Sequence, residues 1–302
     1  MNVALEFRGV QKSYGRTCAL DGLDLQVPVG SIFGLVGSNG AGKTTAMAVA
    51  LGLLQPGNGE INLLGGGAFS PEKHAGHVAL LPQDSRFPPH ARVEELLRFY
   101  SRLQDAGADN INELLDWVHL QDRRRSPVRT LSHGMNRRLA IAQAFLGAPE
   151  LVLLDEPLNG LDPREAARVR ELIRERRGRQ TIVISSHNLA DLEALCDHVA
   201  FIEKGKLVRQ DTLEKIIRRA HHVTFIVRGV APLEQLRTAL PEVVWEQSAG
   251  KLTATFPERY TTEELNALAL PVLLAAGVGV LEIQRGSDLE SEYLRLSKTD
   301  AG

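Results

Sequence analysis

A chain of 302 residues, 43% hydrophobic and 24% charged, has an ordinary globular composition and the length for two domains, each with its own core. Its net charge of −2 excludes a whole-surface electrostatic grip on nucleic acid, and its two distant cysteines, Cys18 and Cys196, exclude a disulfide scaffold and suit a reducing compartment. The N-terminus shows no basic leader or long apolar core and so does not read as a signal peptide, and the most apolar long stretch, 265–283, is broken by Asn266, Pro271, Gly277, Gly279 and Glu282 and reads as a helix running into a strand.

In chain order, the first informative element is the apolar run 32–36. It leads into Gly37-Ser38-Asn39-Gly40-Ala41-Gly42-Lys43-Thr44-Thr45 and then a helical stretch over 46–54. Strand, glycine-rich loop and helix form the context that a phosphate-binding loop requires. The glycines let successive N–H groups wrap a phosphate chain at a helix N-terminus, where the peptide dipoles favour an anion. Lys43 then reaches the β- and γ-phosphates of a nucleoside triphosphate, and the Thr44 hydroxyl ligates Mg2+.

The arginine runs at 123–125 and 174–179 lie in charge-mixed helical stretches and read as solvated faces. Leu131-Ser132-His133-Gly134-Met135 opens a helical pattern carrying Leu139, Ala142, Phe145 and Leu146, and a Ser-x-Gly turn at a helix start is a second anion site. Residues 151–156 read Leu-Val-Leu-Leu-Asp-Glu. This pattern predicts a strand buried on both faces of a parallel sheet, with two carboxylates at the edge where such sheets bind ligands. Asp155 is expected to hold Mg2+, through water, and Glu156 to polarise the attacking water.

Phosphate loop, Leu-Ser-x-Gly-x signature, acidic strand end, Asn159-Gly160-Leu161-Asp162 and a histidine after the strand 181–185 appear in that order. In this combination the chain resembles an ABC-transporter ATPase subunit from about Val3 to Arg209. The resemblance implies a P-loop NTPase α/β domain over 1–212 with a helical subdomain at about 84–148. It implies that Tyr14 stacks on adenine and that Gln83 contacts both Mg2+ and the lytic water, in a segment that senses a membrane subunit. His187 would bond the γ-phosphate, and Asp162 would lie at the interface between subunits.

It also implies a homodimer packed head to tail. Ser132 and the Gly134 amide of one copy, in a signature completed by His133 and Met135, would close over the ATP held by the other. The assembly would sit on the cytoplasmic face of the membrane, docked to permease subunits on a separate chain, with Phe87-Pro88-Pro89 as a candidate apolar lip. No direct contact with nucleic acid is expected.

Two signature positions depart from the commonest pattern: His133 replaces a glycine and Met135 a glutamine. A signature ending in Gly-Met resembles that of ATPases serving type-2 exporters, so the chain reads as an exporter subunit with a working variant signature. The rivals are an importer ATPase and a soluble ABC ATPase acting on nucleic acid or ribosomes. DNA-repair members insert long coiled coils between the glutamine loop and the signature, and the interval 84–131 is too short for these. Translation-type members need a second phosphate loop, and a GTP switch needs Asn-Lys-x-Asp; neither is present.

A helical stretch over 212–220 leads through a linker at 213–222, and the region 223–302 alternates as strand 223–227, helix 233–240, strands 243–247 and 252–256, helix 261–276, strand 278–284 and helix 288–297. The order β-α-β-β-α-β predicts a small α+β, ferredoxin-like accessory domain with a closing helix. Its tail resembles that of exporter ATPases, and dimer support or regulation is the expected role. The pair His221-His222 reads as a linker feature, since neighbouring side chains point apart.

Overall fold

The computed structural model describes residues 2–103, 110–218, 222–257, 259–285, 289 and 293. The chain divides into the units Met1–Asp211 and Thr212–Gly302. In the first, β1 (Val3–Tyr14) and β2 (Thr17–Pro28) form an antiparallel hairpin. Strand β3 (Ile32–Val36) runs through the phosphate loop into α1 (Lys43–Ala50), and β4 (Asn58–Leu63) returns to the free edge of β1. The chain continues through α2 (Pro71–His74), β5 (Val78–Leu81), α3 (Val93–Leu103), α4 (Ile111–Trp117) and α5 (His133–Ala144). It then forms β6 (Leu151–Asp155), α6 (Pro163–Arg174), β7 (Thr181–Ser186), α7 (Leu189–Leu195), β8 (His198–Glu203) and β9 (Lys206–Thr212).

Every residue of β3, β6 and β7 is buried, as expected for strands covered on both faces. They form the middle of a six-stranded sheet ordered β5-β6-β7-β3-β8-β9, in which β5, β6, β7, β3 and β8 run parallel. The three-stranded sheet β2-β1-β4 is separate. Between the sheets, α1 inserts Ala46, Met47 and Ala50 into one core with Leu5, Phe7 and Leu23 on one side and Phe33, Leu153 and Val183 on the other. At about 1.5–3 kcal/mol for each large apolar side chain removed from water, this packing fixes the helix that carries the phosphate loop.

Helices α3, α4 and α5 fill the interval between β5 and β6. Of the arginine runs read as solvated faces, Arg123, Arg125, Arg174, Arg177 and Arg179 are exposed, and the reading is corrected only at Arg124 and Arg176. Arg176 lies with its guanidinium carbon 4.1 Å from the centre of the Trp117 ring, and its side chain is only 12% exposed. Arg124 donates two hydrogen bonds to Glu94 at 2.7 and 3.0 Å. Sequence-local charge mixing missed both partners because they lie on other helices.

The second unit holds α8 (Leu213–Arg218), β10 (His222–Arg228), α9 (Leu233–Ala239), β11 (Val244–Ser248), β12 (Lys251–Thr255), α10 (Thr262–Ala275) and β13 (Gly279–Arg285). Its antiparallel sheet is ordered β11-β12-β10-β13, the ferredoxin-like arrangement. Strands β11 and β12 turn on Ala249 and Gly250, both at positive φ, as a two-residue hairpin demands. Thr261 and Glu264 cap α10 reciprocally, and the helix runs through Pro271 before the chain enters β13. The helical stretch expected over 212–220, within the linker region, forms α8, whose Ile216 is fully buried. The expected helix at 288–297 lies almost wholly outside the described residues, as does His221.

Candidate functional site

Because β5, β6, β7 and β3 are parallel neighbours, their C-terminal ends share one edge of the sheet. The loops leaving that edge bring together Gln83 after β5, Glu156 after β6, His187 after β7 and the phosphate loop after β3. Register sets their depth: Asp155 pairs with Ser185, and Ser185 with Leu35. A cleft of about 470 Å3 opens there. Its walls are Thr17, Cys18 and Ala19, then Asn39, Gly40 and Gly42 to Thr45, with Gln83, Glu156, Asn159 and His187 opposite.

The loop is shaped by positions that exclude a side chain. A Cβ on Gly37 would sit 2.4 Å from the carbonyl oxygen of Ile202, and one on Gly42, at φ 110°, would sit 2.5 Å from that of Ala19. Gly42 is also the N-cap of α1, so the first free amides of the helix open onto the cleft. Lys43 is buried and donates through Nζ to the carbonyls of Gly37 at 2.7 Å and Ser38 at 3.1 Å. Burial lowers its pKa, opposed by the charges of Glu156 and Asp155. Ser38 and Thr44 are exposed, while Ala41 packs inward.

At the acidic end, Asp155 and Glu156 are 3% and 6% exposed. Ser185 organises both: its hydroxyl donates to Oδ1 of Asp155 and accepts the Glu156 N–H at 2.9 Å. Glu156 adopts φ 48°, a left-handed conformation costly for a residue with a Cβ. His187 Nδ1 lies 2.9 Å from Glu156 Oε2, while half of the His187 side chain faces solvent. When Glu156 is ionised it only accepts, so Nδ1 carries the proton of this hydrogen bond.

The remaining expected residues fall elsewhere. Tyr14, at the end of β1, is 48% exposed and is not part of the cleft wall; the Lys12 ammonium lies 5.7 Å from its ring centre. Ser132 caps α5, accepting from the Met135 N–H at 3.2 Å. Gly134 is buried, and a Cβ there would meet the Glu165 side chain at 2.7 Å, so a larger residue would have to displace that carboxylate. None of Ser132, His133, Gly134 or Met135 lines the phosphate-loop cleft. Instead His133 faces Gly160 across an adjoining cavity of about 410 Å3 that also includes Gln83. Asp162 caps α6, accepting from the N–H groups of Arg164 at 2.9 Å and Glu165 at 3.0 Å.

Several contributors escaped the sequence reading. Ser185 stands at the end of an apolar run, where a polar residue pointing at the sheet edge is the only signal. Thr17, Cys18 and Ala19 line the cleft without any motif of their own, and Asn159 joins them from the Asn159-Gly160-Leu161-Asp162 motif, which was read for Asp162 alone. Arg137 hides within α5 as one of two adjacent buried arginines.

The chain has clear likenesses among known proteins. The ABC transporter family profile matches residues 20–159. A Nod factor export ATP-binding protein I of Cupriavidus metallidurans is 33% identical, with 98% of both chains aligned. The protein of the same name in Burkholderia orbicola is 37% identical, again over 98% of both. A solved structure described as the ATP binding subunit of an ABC transporter superposes with a TM-score of 0.63 at 29% identity, over 70% of this chain and 91% of its own. A dimeric post-hydrolysis ATP-binding cassette bound to ADP and phosphate gives 0.63 at 20% identity, over 69% and 98%, a likeness of fold alone.

Proposed function

This chain belongs to the ABC-transporter ATPase family, and we propose that it works there as an export motor, two copies closing head to tail on two ATP molecules and driving separate membrane subunits. Hydrolysing ATP as a subunit of an ABC transporter is the activity of the family; direction, closure and the role of each residue are the proposal. The observation that carries it is the hydrogen-bonded chain Asp155–Ser185–Glu156–His187 facing Lys43 and the phosphate loop across one cleft.

In this reading the amides of 39–45 and the Lys43 ammonium hold the β- and γ-phosphates, and Tyr14 covers the adenine. The residues present suit Mg2+. The Thr44 hydroxyl, the Gln83 amide oxygen and the Asp155 carboxylate are hard oxygen donors, and Ser185 already orients the carboxylate. Bound there, the ion neutralises charge on the phosphate oxygens. Glu156 takes the proton of a water aligned by Gln83 as its oxygen attacks the γ-phosphorus; the bridging P–O bond to the β-phosphate breaks and ADP departs. His187 orients Glu156 through Nδ1 and presents its other nitrogen to the γ-phosphate.

The signature turn stands outside its own cleft, which favours a second copy as the source of Ser132 and the Gly134 amide. Loss of the γ-phosphate then removes a ligand shared by both copies and reopens the pair. Export as the direction is supported by the printed names of the relatives and by the Gly134-Met135 signature. No described helix is long and apolar enough to cross a membrane, so the path for cargo is assigned to the partner subunits.

Replacing the base tests this reading. Glu156→Gln is expected to lower phosphate release about 10^2–10^4-fold while leaving ATP bound, trapping a dimer seen by light scattering. A Glu156→Gln protein that stays monomeric with ATP and Mg2+, both alone and with its membrane partner, overturns it.

A further inference from the structure

Helix α5 starts at the signature and carries, one turn later, a side chain that the mechanism above does not use. Arg137 is 7% exposed, and all its hydrogen bonds end on main-chain carbonyls. Nε donates to Pro157 at 2.8 Å, one terminal nitrogen to Asp155 at 3.1 Å and Glu156 at 2.6 Å, and the other to Gln83 at 3.1 Å and Pro82 at 3.5 Å. A single guanidinium therefore bridges the loops leaving β5 and β6, the two that carry Gln83 and Glu156. The next residue, Arg138, points elsewhere, to Glu165 of α6 and to the carbonyls of Val118 and His119.

The backbone of Glu156 is held on both sides. Ser185 accepts its N–H, and its carbonyl accepts from Arg137 and, at 3.1 Å, from the Asn159 N–H. This bracing keeps a left-handed glutamate in place, so the position of Arg137 bears directly on where the carboxylate points. The link is stiff, because Arg137 and the signature turn ride on one continuous helix capped by Ser132. Only a planar fork reaches acceptors on two loops at once; an ammonium is a single point of contact.

We propose that Arg137 is a positioning residue that ties the signature turn of each chain to the Gln83 and Glu156 of that same chain, so that a partner's ATP closing on Ser132–Met135 sets the geometry of the neighbouring catalytic site. This rests on the head-to-tail reading above and adds the route by which one site informs the other. The burial that lowers the Arg137 pKa, opposed by Asp155, Glu156 and Asp84, fits a guanidinium held by carbonyls and not by a direct ion pair.

The test uses full-length Arg137→Lys, which keeps charge and stem but loses the fork, beside Glu156→Gln. Binding of a fluorescent ATP analogue is expected to match wild type at temperatures below both melting transitions, although the melting temperature falls because buried carbonyls lose a donor. The kcat should fall about 10–100-fold with KM nearly unchanged, and the Hill coefficient for ATP should fall to 1. Wild-type kcat, or a loss that vanishes when the two proteins are compared well below their melting transitions, overturns the proposal. If Arg137→Lys does not fold, amide hydrogen exchange on wild type decides. ATP should increase protection together at 132–137, 82–84 and 156–159, and protection confined to the phosphate loop overturns the proposal. Hydrolysis that survives Glu156→Gln removes the underlying reading as well; an inactive Glu156→Gln beside a wild-type Arg137→Lys removes this inference alone.

Discussion

At the scale of single residues, the proposed mechanism asks that the buried Glu156 carboxylate be aimed into the cleft. Asp155 and Glu156 are almost fully buried, yet each has a dedicated partner, so burial does not leave a bare charge. Ser185 serves both with one hydroxyl. Removing it should therefore misplace two groups without removing either. Ser185→Ala is expected to lower kcat about 10–100-fold and to weaken Mg2+ dependence, with ATP affinity changed little; phosphate release titrated with Mg2+ checks this. Lys43, Thr44, Asp155 and Glu156 were legible in the sequence because their spacing to glycines and apolar runs is local. Ser185 and Arg137 were not, since their partners lie 18 or more residues away.

At the scale of elements, the helical segment between β5 and β6 is held by charge as well as by apolar packing. Glu94 in the first turn of α3 accepts from Arg98 on its own helix and from Arg124 beyond α4. Its carboxyl pKa is lowered from 4.5 to about 2, first by the hydrogen bond from Arg124 and then by that from Arg98. A folded pKa below the unfolded one gives stability that is complete above about 4.5 and lost as pH falls through about 2. Glu94→Gln is thus expected to melt below wild type at pH 7, with the gap narrowing as pH drops from 5 toward 2; thermal melts across that range test it. In the second unit the elements were legible from apolar periodicity, and in the first so were β3, α1, α5, β6 and β7. Helix α8 was legible too, as a helical stretch over 212–220, while the full burial of its Ile216 is a tertiary fact that a local pattern does not reveal.

At the scale of the whole molecule, the proposal that a membrane partner docks beside the glutamine loop draws on an aromatic cluster there, in which Phe99 is exposed and Phe87 and Tyr100 are half-buried. The Phe87 ring meets Tyr100 edge-on at 6.2 Å, Tyr100 meets Phe99 at 5.5 Å, and Phe99 is 56% exposed. Apolar rings grouped at a surface favour a partner helix. Phe87→Asp is expected to abolish transport in membrane vesicles while basal ATP hydrolysis by the isolated subunit stays within about twofold, because the ring touches no part of the cleft. Transport that survives the substitution would place docking elsewhere. The accessory unit contributes a complete four-stranded sheet with a core of its own, including Phe225, Trp245 and Leu252.

The sequence by itself determined the chemistry and the family, because a phosphate loop, its lysine and its hydroxyl act through neighbours a few residues away. It also determined the β-α-β-β-α-β order of the second unit, since strand and helix periods are local properties. Tertiary structure alone decided which carbonyls Arg137 grips, which hydroxyl joins Asp155 to Glu156, and that the signature turn stands outside its own cleft. Each of these is a contact between segments far apart in the chain, fixed by the parallel register of β5, β6, β7 and β3, and that register arises from packing in three dimensions.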